Sequence, residues 1–365
     1  MKRIEYWKIN FGEEEIKKIR ESILNRNISQ GKVTEEFERR VSNYLDVKYC
    51  VATTNGSIAI LMSLMALDIK TEDEVIIPNR TWIATAHAPM LLGAKPVLVD
   101  VLPDKPIIDI SKIRKKITKK TKAIMPVHLN GRSADMTAIN EISEEYNLPV
   151  IEESCQAFLS KNANGYLGAQ SDMGCFSFAI SKLFSTGQGG MVITNNKGLY
   201  EKLKLIRTHG TASIIFPKYK LLGFNFKFTD ILASIGIVQL QKAKEKIEHA
   251  KKIYLRYSEG IKNLSSIKII PSNVSLGEIP IYIETLAEDR AKLINFLNSK
   301  DIYPRPFLPN INSAPYIEKT DDFPNSDIFA KKGIFLPSGP DLPIEDVERV
   351  IEALKEFENI NFNKY

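Results

Sequence analysis

Cysteine is scarce in this chain: Cys50, Cys155 and Cys175 are the only three among 365 residues. Three thiols cannot all pair with one another and share no short metal-ligand spacing, so neither a disulfide framework nor a zinc motif is expected to organise the fold. A reducing, cytoplasmic compartment fits that usage. Histidine is almost as rare, and His87, His128, His209 and His249 are scattered, which leaves no metal-binding set in view. Long apolar runs are missing: none approaches the roughly 20 residues of a membrane span, and the opening residues Met1 to Trp7 lack the apolar stretch of a signal peptide. No membrane partner is expected. Charge of one sign is not concentrated either. The net +6 is spread along the chain, with clusters no longer than Arg114-Lys115-Lys116 and Lys119-Lys120, so nucleic acid is not an expected partner. Internal repeats and low-complexity segments are absent.

What is present describes an ordinary globular protein. Apolar content of 44% and charged content of 26% are typical, and the length suits two domains better than one. Short β-rich apolar runs recur at 49–53, 75–77, 96–100, 123–127, 149–152, 175–178 and 191–194, separated by loops or segments of helical period. Their continuous apolarity implies burial on both faces. The expected fold is therefore α/β, three layers around a central seven-stranded, mostly parallel sheet. From 229 to about 264 the sequence reads as one long helix. After it come strands near 267–270, 279–284 and 334–337, helices at 288–299 and 344–357, and a tail beyond Phe357 expected to fray. This reading divides the chain into a large domain, 1–245, and a smaller C-terminal α+β domain, 246–365.

Chemistry concentrates where strands end. Thr53-Thr54-Asn55-Gly56-Ser57 precedes an apolar helix, and converging amides there form an anion site, although Asn55 or Ser57 serving as a plain helix N-cap explains the same residues. Glu153 ends the fifth apolar run and is expected to project from its carboxyl end, where ligands bind in open α/β sheets, although Glu152 and Glu153 serving as one buried partner and one solvated charge explains the same pair. Trp82 follows the second run and offers a flat face to a heteroaromatic ring, with core packing as the alternative for any single tryptophan. Ser177 lies five residues before Lys182, which stands between an apolar run and the glycine-rich turn Gly187-Gln188-Gly189-Gly190. Burial of such a lysine lowers its pKa and frees the neutral amine as a nucleophile. Phosphate cradle, stacking ring, carboxylate and amine together are the parts that hold pyridoxal 5'-phosphate.

The sequence resembles the DegT/StrS family of sugar aminotransferases, of the aspartate-aminotransferase fold, over nearly its whole length. The matching segments are Ile28-Ser29-Gln30-Gly31, Thr54-Asn55-Gly56-Ser57, Pro78-Asn79-Arg80-Thr81-Trp82, Pro126-Val127-His128-Leu129-Asn130-Gly131-Arg132, Arg207-Thr208-His209-Gly210, Gly223-Phe224-Asn225-Phe226-Lys227 and Arg305-Pro306-Phe307. The resemblance implies that Lys182 is the catalytic residue and carries the cofactor as a Schiff base. It further implies that Gly56, Ser57 and Ser177 bind the cofactor phosphate, that Trp82 covers the ring, and that Glu153 meets the ring nitrogen and Gln156 the ring hydroxyl. Asn225 would reach the phosphate of a neighbouring subunit, giving a homodimer with shared active sites. Arg80, Lys227 and Arg305 are expected at the substrate. L-Glutamate is the implied amino donor. A nucleotide-linked keto sugar destined for a surface polysaccharide is the implied acceptor, with a small phosphoketone such as dihydroxyacetone phosphate as the alternative. Three departures stand out: Glu153 where the family usually has aspartate, Ala179 where a ring-bearing residue is common, and a segment 274–284 without the usual histidine.

Overall fold

The computed structural model describes residues 2–319 and 321–361. All seven expected runs form strands: β1 (Tyr49–Thr53), β2 (Glu74–Pro78), β3 (Lys95–Val99), β4 (Thr121–Ile124), β5 (Ile151–Glu153), β6 (Met173–Ser177) and β7 (Gly190–Thr194). Their order is β1-β7-β6-β5-β4-β2-β3, with β5 joined to β4 through the parallel pairs Ile124–Val150 and Val127–Glu153. Only β7 runs antiparallel to its neighbours.

Alternate residues of these strands feed two cores, because successive side chains point to opposite faces. Val51, Val75, Ile77 and Val192 pack with Ile60, Met62 and Leu64 of α3 (Gly56–Ala66) on one face. On the other, Cys50, Ala52, Met191 and Ile193 meet Phe37 and Val41 of α2 (Lys32–Leu45), while Ile76, Val99 and Ile124 meet Ile139 and Ile142 of α5 (Met136–Tyr146). Helix, sheet and helix are thus the three layers. Each fully buried branched side chain contributes about 1.5–3 kcal/mol, which is why the sequence places β-branched residues on both faces of these strands.

The single long helix expected from 229 onward is two helices, α7 (Asp230–Gln241) and α8 (Ala243–Ile261), broken at Lys242. The ammonium of Lys242 is drawn to Glu15 at 2.9 Å and Glu14 at 2.8 Å on the first helix, Glu13–Leu24. Helix α7 is buried among the helices of the large sheet, whereas α8 presents one apolar face to a second layer. The break lets the chain serve both.

That second layer is a four-stranded antiparallel sheet in the order β8 (Ile267–Ile269), β9 (Ile283–Ala287), β11 (Gly333–Leu336), β10 (Arg305–Pro306). It packs on α8, α9 (Arg290–Ser299) and α11 (Ile344–Asn361). Ile4 belongs to the same core, since Ile4–Glu5 pairs in parallel with Ile302–Tyr303. Strand β9 begins four residues later than the run 279–284 suggests. The N–H groups of Ile279 and Tyr282 bond to Ser160 Oγ and Asn130 Oδ1 instead of a neighbouring strand. Helix α11 continues past Phe357 to Asn361, and residues 362–365 of the expected frayed tail lie outside the described residues.

Buried polar groups tie the two sheets together. The Arg132 guanidinium pairs with Glu284 of β9 and donates to Pro271 O at 2.7 Å. Asp100, after β3, accepts from Ser326 N–H at 2.9 Å, Ser326 Oγ–H at 2.7 Å and Asn325 N–H at 3.1 Å, anchoring the start of Pro324–Lys332. Burial works to raise the pKa of Asp100, but the donors from Ser326, Val101 and Asn325 outweigh it and hold the carboxyl below its usual range. The stability this anchor contributes is therefore present above about pH 4 and is lost as pH falls through the lowered value. Asp100→Asn should weaken the fold at neutral pH and flatten the acid limb of a denaturant-monitored stability profile below about pH 4. A limb as steep as the parent protein's would refute the assignment.

Candidate active site

The carboxyl ends of β2, β5 and β6 face the start of α3 across a cavity of about 540 Å³. Its floor is Glu153, the last residue of β5 and 4% exposed. One carboxylate oxygen accepts Cys155 N–H at 2.8 Å; the other accepts Thr81 Oγ–H and Thr85 Oγ–H, both at 3.3 Å. Glu152 points the opposite way, as the pleat requires. It is fully buried against His128 Nε2 at 2.9 Å, Gly168 N–H at 2.7 Å and Gln170 N–H at 2.7 Å. Neither carboxylate is solvated, which sets aside the alternative of one buried partner and one solvated charge: both are buried, with separate partners. Since Ala134 N–H donates to His128 Nδ1, His128 carries its proton on Nε2 and donates it to Glu152.

The helix N-cap expected of the Asn55 segment is present. Asn55 caps α3 by accepting Ile58 N–H at 2.9 Å, and Gly56 and Ser57 in the first turn line the cavity. A Cβ at Gly56 would lie 2.7 Å from Ser177 Cβ and 2.9 Å from Cys155 Sγ, so any side chain there would fill the cradle. Gly190 at the start of β7 is likewise obligatory: its Cβ would meet Asn55 O at 2.2 Å.

Lys182 lies on a tight turn after β6, its N–H donating to Ala179 O at 3.0 Å. The loop is closed behind it by Phe178 N–H to Gly189 O at 2.8 Å. The lysine lines the cavity and is half-buried, neither sealed in the core nor free on the surface. Trp82 is 50% exposed and forms a wall, which sets aside the core-packing alternative. Gln156 also lines the cavity and accepts Asn130 N–H at 3.0 Å. Arg305 of β10 stands with Tyr6, Leu308 and Phe335 on the side formed by the small sheet.

Two residues expected at the substrate, Arg80 and Lys227, do not line the cavity, and Asn225, expected at a neighbouring subunit's phosphate, does not line that of its own chain. Arg80 is 5% exposed, donates to Leu308 O and to Asn310 Oδ1 at 3.2 Å, and lies against the Phe307 ring. Burial pulls its pKa down to about 10. It braces the 307–310 loop and does not line the cavity, which corrects its expected place at the substrate. Lys227 bridges to Thr53 at the end of β1, and Asn225 is exposed beside Thr208, outside its own chain's cavity.

The structure adds residues the sequence reading passed over. Thr81, in the loop after β2, and Thr85, in the first turn of the helix Ala84–Leu91, both turn their hydroxyls toward Glu153, and because Thr81 precedes the helix no local period marks the pair. Tyr6 and Tyr282 arrive from distant segments with no local motif. Cys155 lines the cavity too, but burial, followed by the Glu153 charge, pushes its thiol well above the usual range and leaves it protonated. A larger hollow of about 730 Å³ lies elsewhere, between the β3 edge and residues 316–318 and 321. Its charged walls are already paired, as Lys95–Glu318, Lys116–Asp321 and Lys120–Glu72. Among the described residues no group of three or more His, Cys, Asp or Glu could hold a metal ion, and no helix is long and apolar enough to cross a membrane.

A seven-stranded sheet with one antiparallel strand, flanked by helices and joined to a small antiparallel layer, is the architecture of the pyridoxal phosphate-dependent transferases. Residues 10–355 match the DegT/DnrJ/EryC1/StrS aminotransferase family, and the chain belongs to it. It is an enzyme of the transaminase class. It is 36% identical to the GDP-perosamine synthase of Escherichia coli O157:H7 over 332 residues, 90% of this chain and 91% of that one. It is 33% identical to the dTDP-3-amino-3,6-dideoxy-alpha-D-galactopyranose transaminase of Aneurinibacillus thermoaerophilus, covering 90% of each. Among solved structures, that of DesV from S. venezuelae in complex with a ketimine intermediate superposes with a TM-score of 0.91 at 27% identity, covering 94% of both chains.

Proposed function

We propose that this enzyme uses pyridoxal 5'-phosphate to move an amino group from L-glutamate to the keto carbon of a nucleotide-linked sugar. The observation that carries the reading is the convergence of Lys182, Glu153, Gly56, Ser57, Ser177 and Trp82 on one cavity. The names of the relatives, which concern GDP- and dTDP-linked amino sugars, support the acceptor class.

The residues present fit the cofactor. Gly56 and Ser57 at the positive end of α3, with Ser177 opposite, suit a phosphate, and the side-chain-free cradle at Gly56 leaves room for one. Glu153, held by Thr81, Thr85 and Cys155 N–H, is placed to keep a proton on the pyridine nitrogen. The family aspartate is one methylene shorter; here the two threonine hydroxyls receive the longer arm. Trp82 offers its face to the ring and Gln156 its amide to the ring hydroxyl. When bound, the cofactor supplies an electron sink for charge at the donor's α-carbon. Lys182 would act as the base that takes the donor's α-proton in the first half-reaction and, in the second, as the acid that delivers a proton to the acceptor carbon. Arg305, with Tyr6 beside it, offers a cation to the acceptor's phosphates.

Amination rates on GDP-, dTDP- and UDP-linked keto sugars and on dihydroxyacetone phosphate, with L-glutamate as donor, test this directly. A nucleotide-linked sugar should be the best substrate in kcat/KM; a preference for the small phosphoketone, or no glutamate-dependent amination, would overturn the reading.

The homodimer belongs to the same proposal. Asn225 is exposed and does not line its own chain's cavity, and the preceding segment exposes Ile215, Phe216 and Leu222 at 77%, 81% and 81%, an apolar stretch that suits a second copy. Lys182→Ala and Asn225→Ala chains, each inactive alone, should regain roughly a quarter of parental activity when dissociated and mixed, since hybrid dimers carry one intact site. No recovery on mixing would argue against shared sites.

A further inference from the structure

The turn that bears Lys182 is gripped by two aromatic residues from remote parts of the chain. The indole N–H of Trp7 donates to Ile180 O at 3.0 Å, and the phenol of Tyr282 donates to Ser181 O at 2.6 Å. These are the two peptide carbonyls immediately before the lysine. The donors also support one another: the Trp7 and Tyr282 ring centroids are 5.2 Å apart, and Tyr282 rests on Phe335 at 5.3 Å.

Tyr282 is itself fixed in place. The Asn130 side chain donates to Tyr282 O at 2.9 Å and accepts Tyr282 N–H at 2.7 Å. Asn130 sits in the left-handed region at φ 55° and gives its own N–H to Gln156. A continuous hydrogen-bonded path therefore runs from Gln156 on one wall, through Asn130 and Tyr282, to the peptide that enters Lys182 on the other. The lysine stem has four rotatable bonds that occupy staggered wells, and the turn held by these two donors fixes the point and starting direction from which it reaches into the cavity.

We propose that Tyr282, assisted by Trp7, is a positioning residue that sets the approach of the Lys182 amine relative to Gln156. This rests on the reading of Lys182 as the reactive amine. Misplacement of a reacting group by about 1 Å costs up to roughly 10²-fold in rate, so a single hydrogen bond to the neighbouring carbonyl carries catalytic weight through the lysine it positions.

The test uses the full-length protein with Tyr282→Phe and Trp7→Phe, each of which keeps a ring and removes one donor. Amide hydrogen exchange of the cofactor-free protein should quicken roughly tenfold across 179–184 in Tyr282→Phe, with β6 and β7 unchanged. In the loaded enzyme the pH midpoint of the lysine-linked absorption band should move, and kcat should fall about tenfold while the acceptor KM stays within about twofold. Trp7→Phe should show the same pattern at smaller size and carries the test should Tyr282→Phe fail to fold. Unchanged exchange across 179–184, or faster exchange with an unmoved absorption midpoint and kcat, would overturn the proposal. A parent protein that forms no lysine-linked band at all would instead sink the reading of Lys182, and the exchange result would still decide whether the two rings hold the turn.

Discussion

Lys182→Ala should lower kcat by at least about 10³-fold while leaving the fold intact. The side chain lines the cavity and is half-buried, so truncation removes little packing. What it removes is the one amine on the turn after β6, which the proposed mechanism uses twice, to hold the cofactor and to move the α-proton. Lys182→Arg should be as inactive, because a guanidinium stays protonated and cannot serve as the base. Added methylamine should restore part of the activity of the alanine variant by supplying an amine in the vacated space. Single-turnover absorbance with L-glutamate is the appropriate measurement, since it reports proton transfer without the acceptor. An alanine variant with parental turnover and no added amine would end the mechanism.

Glu153→Gln is expected to cost about 10²–10³-fold in kcat, the usual penalty for removing a charge aimed at a reacting group in a shielded site. The substitution is nearly isosteric. Its amide oxygen can still accept Cys155 N–H, and the Thr81 and Thr85 hydroxyls can turn to accept from the new NH₂ group, so the fold should hold. The loss then reports the carboxylate's charge and not its shape. Glu153→Asp should retain activity within about tenfold, because the charge remains and only the reach toward the two threonines shortens. Steady-state rates and the pH dependence of the bound cofactor's absorbance separate these outcomes. A glutamine variant as active as its parent would show that Glu153 does not govern the ring.

Much of this site was legible in the sequence because its parts stand at strand ends. Glu153 and Ser177 are each the last residue of a short, wholly buried strand, and Gly56 opens the helix after another. In an open α/β sheet those positions converge whatever the intervening loops do. The strands were legible for a related reason: burial on both faces writes itself as an uninterrupted apolar run. Contacts made across the chain left no such mark. Arg80 sits two residues before Trp82, yet its partners are Leu308 and Asn310, and no local pattern foretells a guanidinium satisfied by a loop that distant. Tyr6 and Tyr282 reach the cavity because Ile4–Glu5 pairs with Ile302–Tyr303 and because Asn130 draws residue 282 off the β9 register. The break at Lys242 was hidden because helical period continues on both sides of it and neither glycine nor proline interrupts; ion pairs to Glu14 and Glu15 hold the bend. Local pattern thus located the chemical groups, and tertiary contacts chose which cations and aromatics surround them.

The central claim is that Lys182 is the residue to which the cofactor is joined. Borohydride reduction of the protein loaded with pyridoxal 5'-phosphate, followed by proteolysis and peptide mass spectrometry, tests it most directly. A single phosphopyridoxyl adduct on Lys182 is expected, in the peptide that contains Ser181 and Leu183. An adduct on any other lysine, or none in protein that has taken up the cofactor, would contradict it.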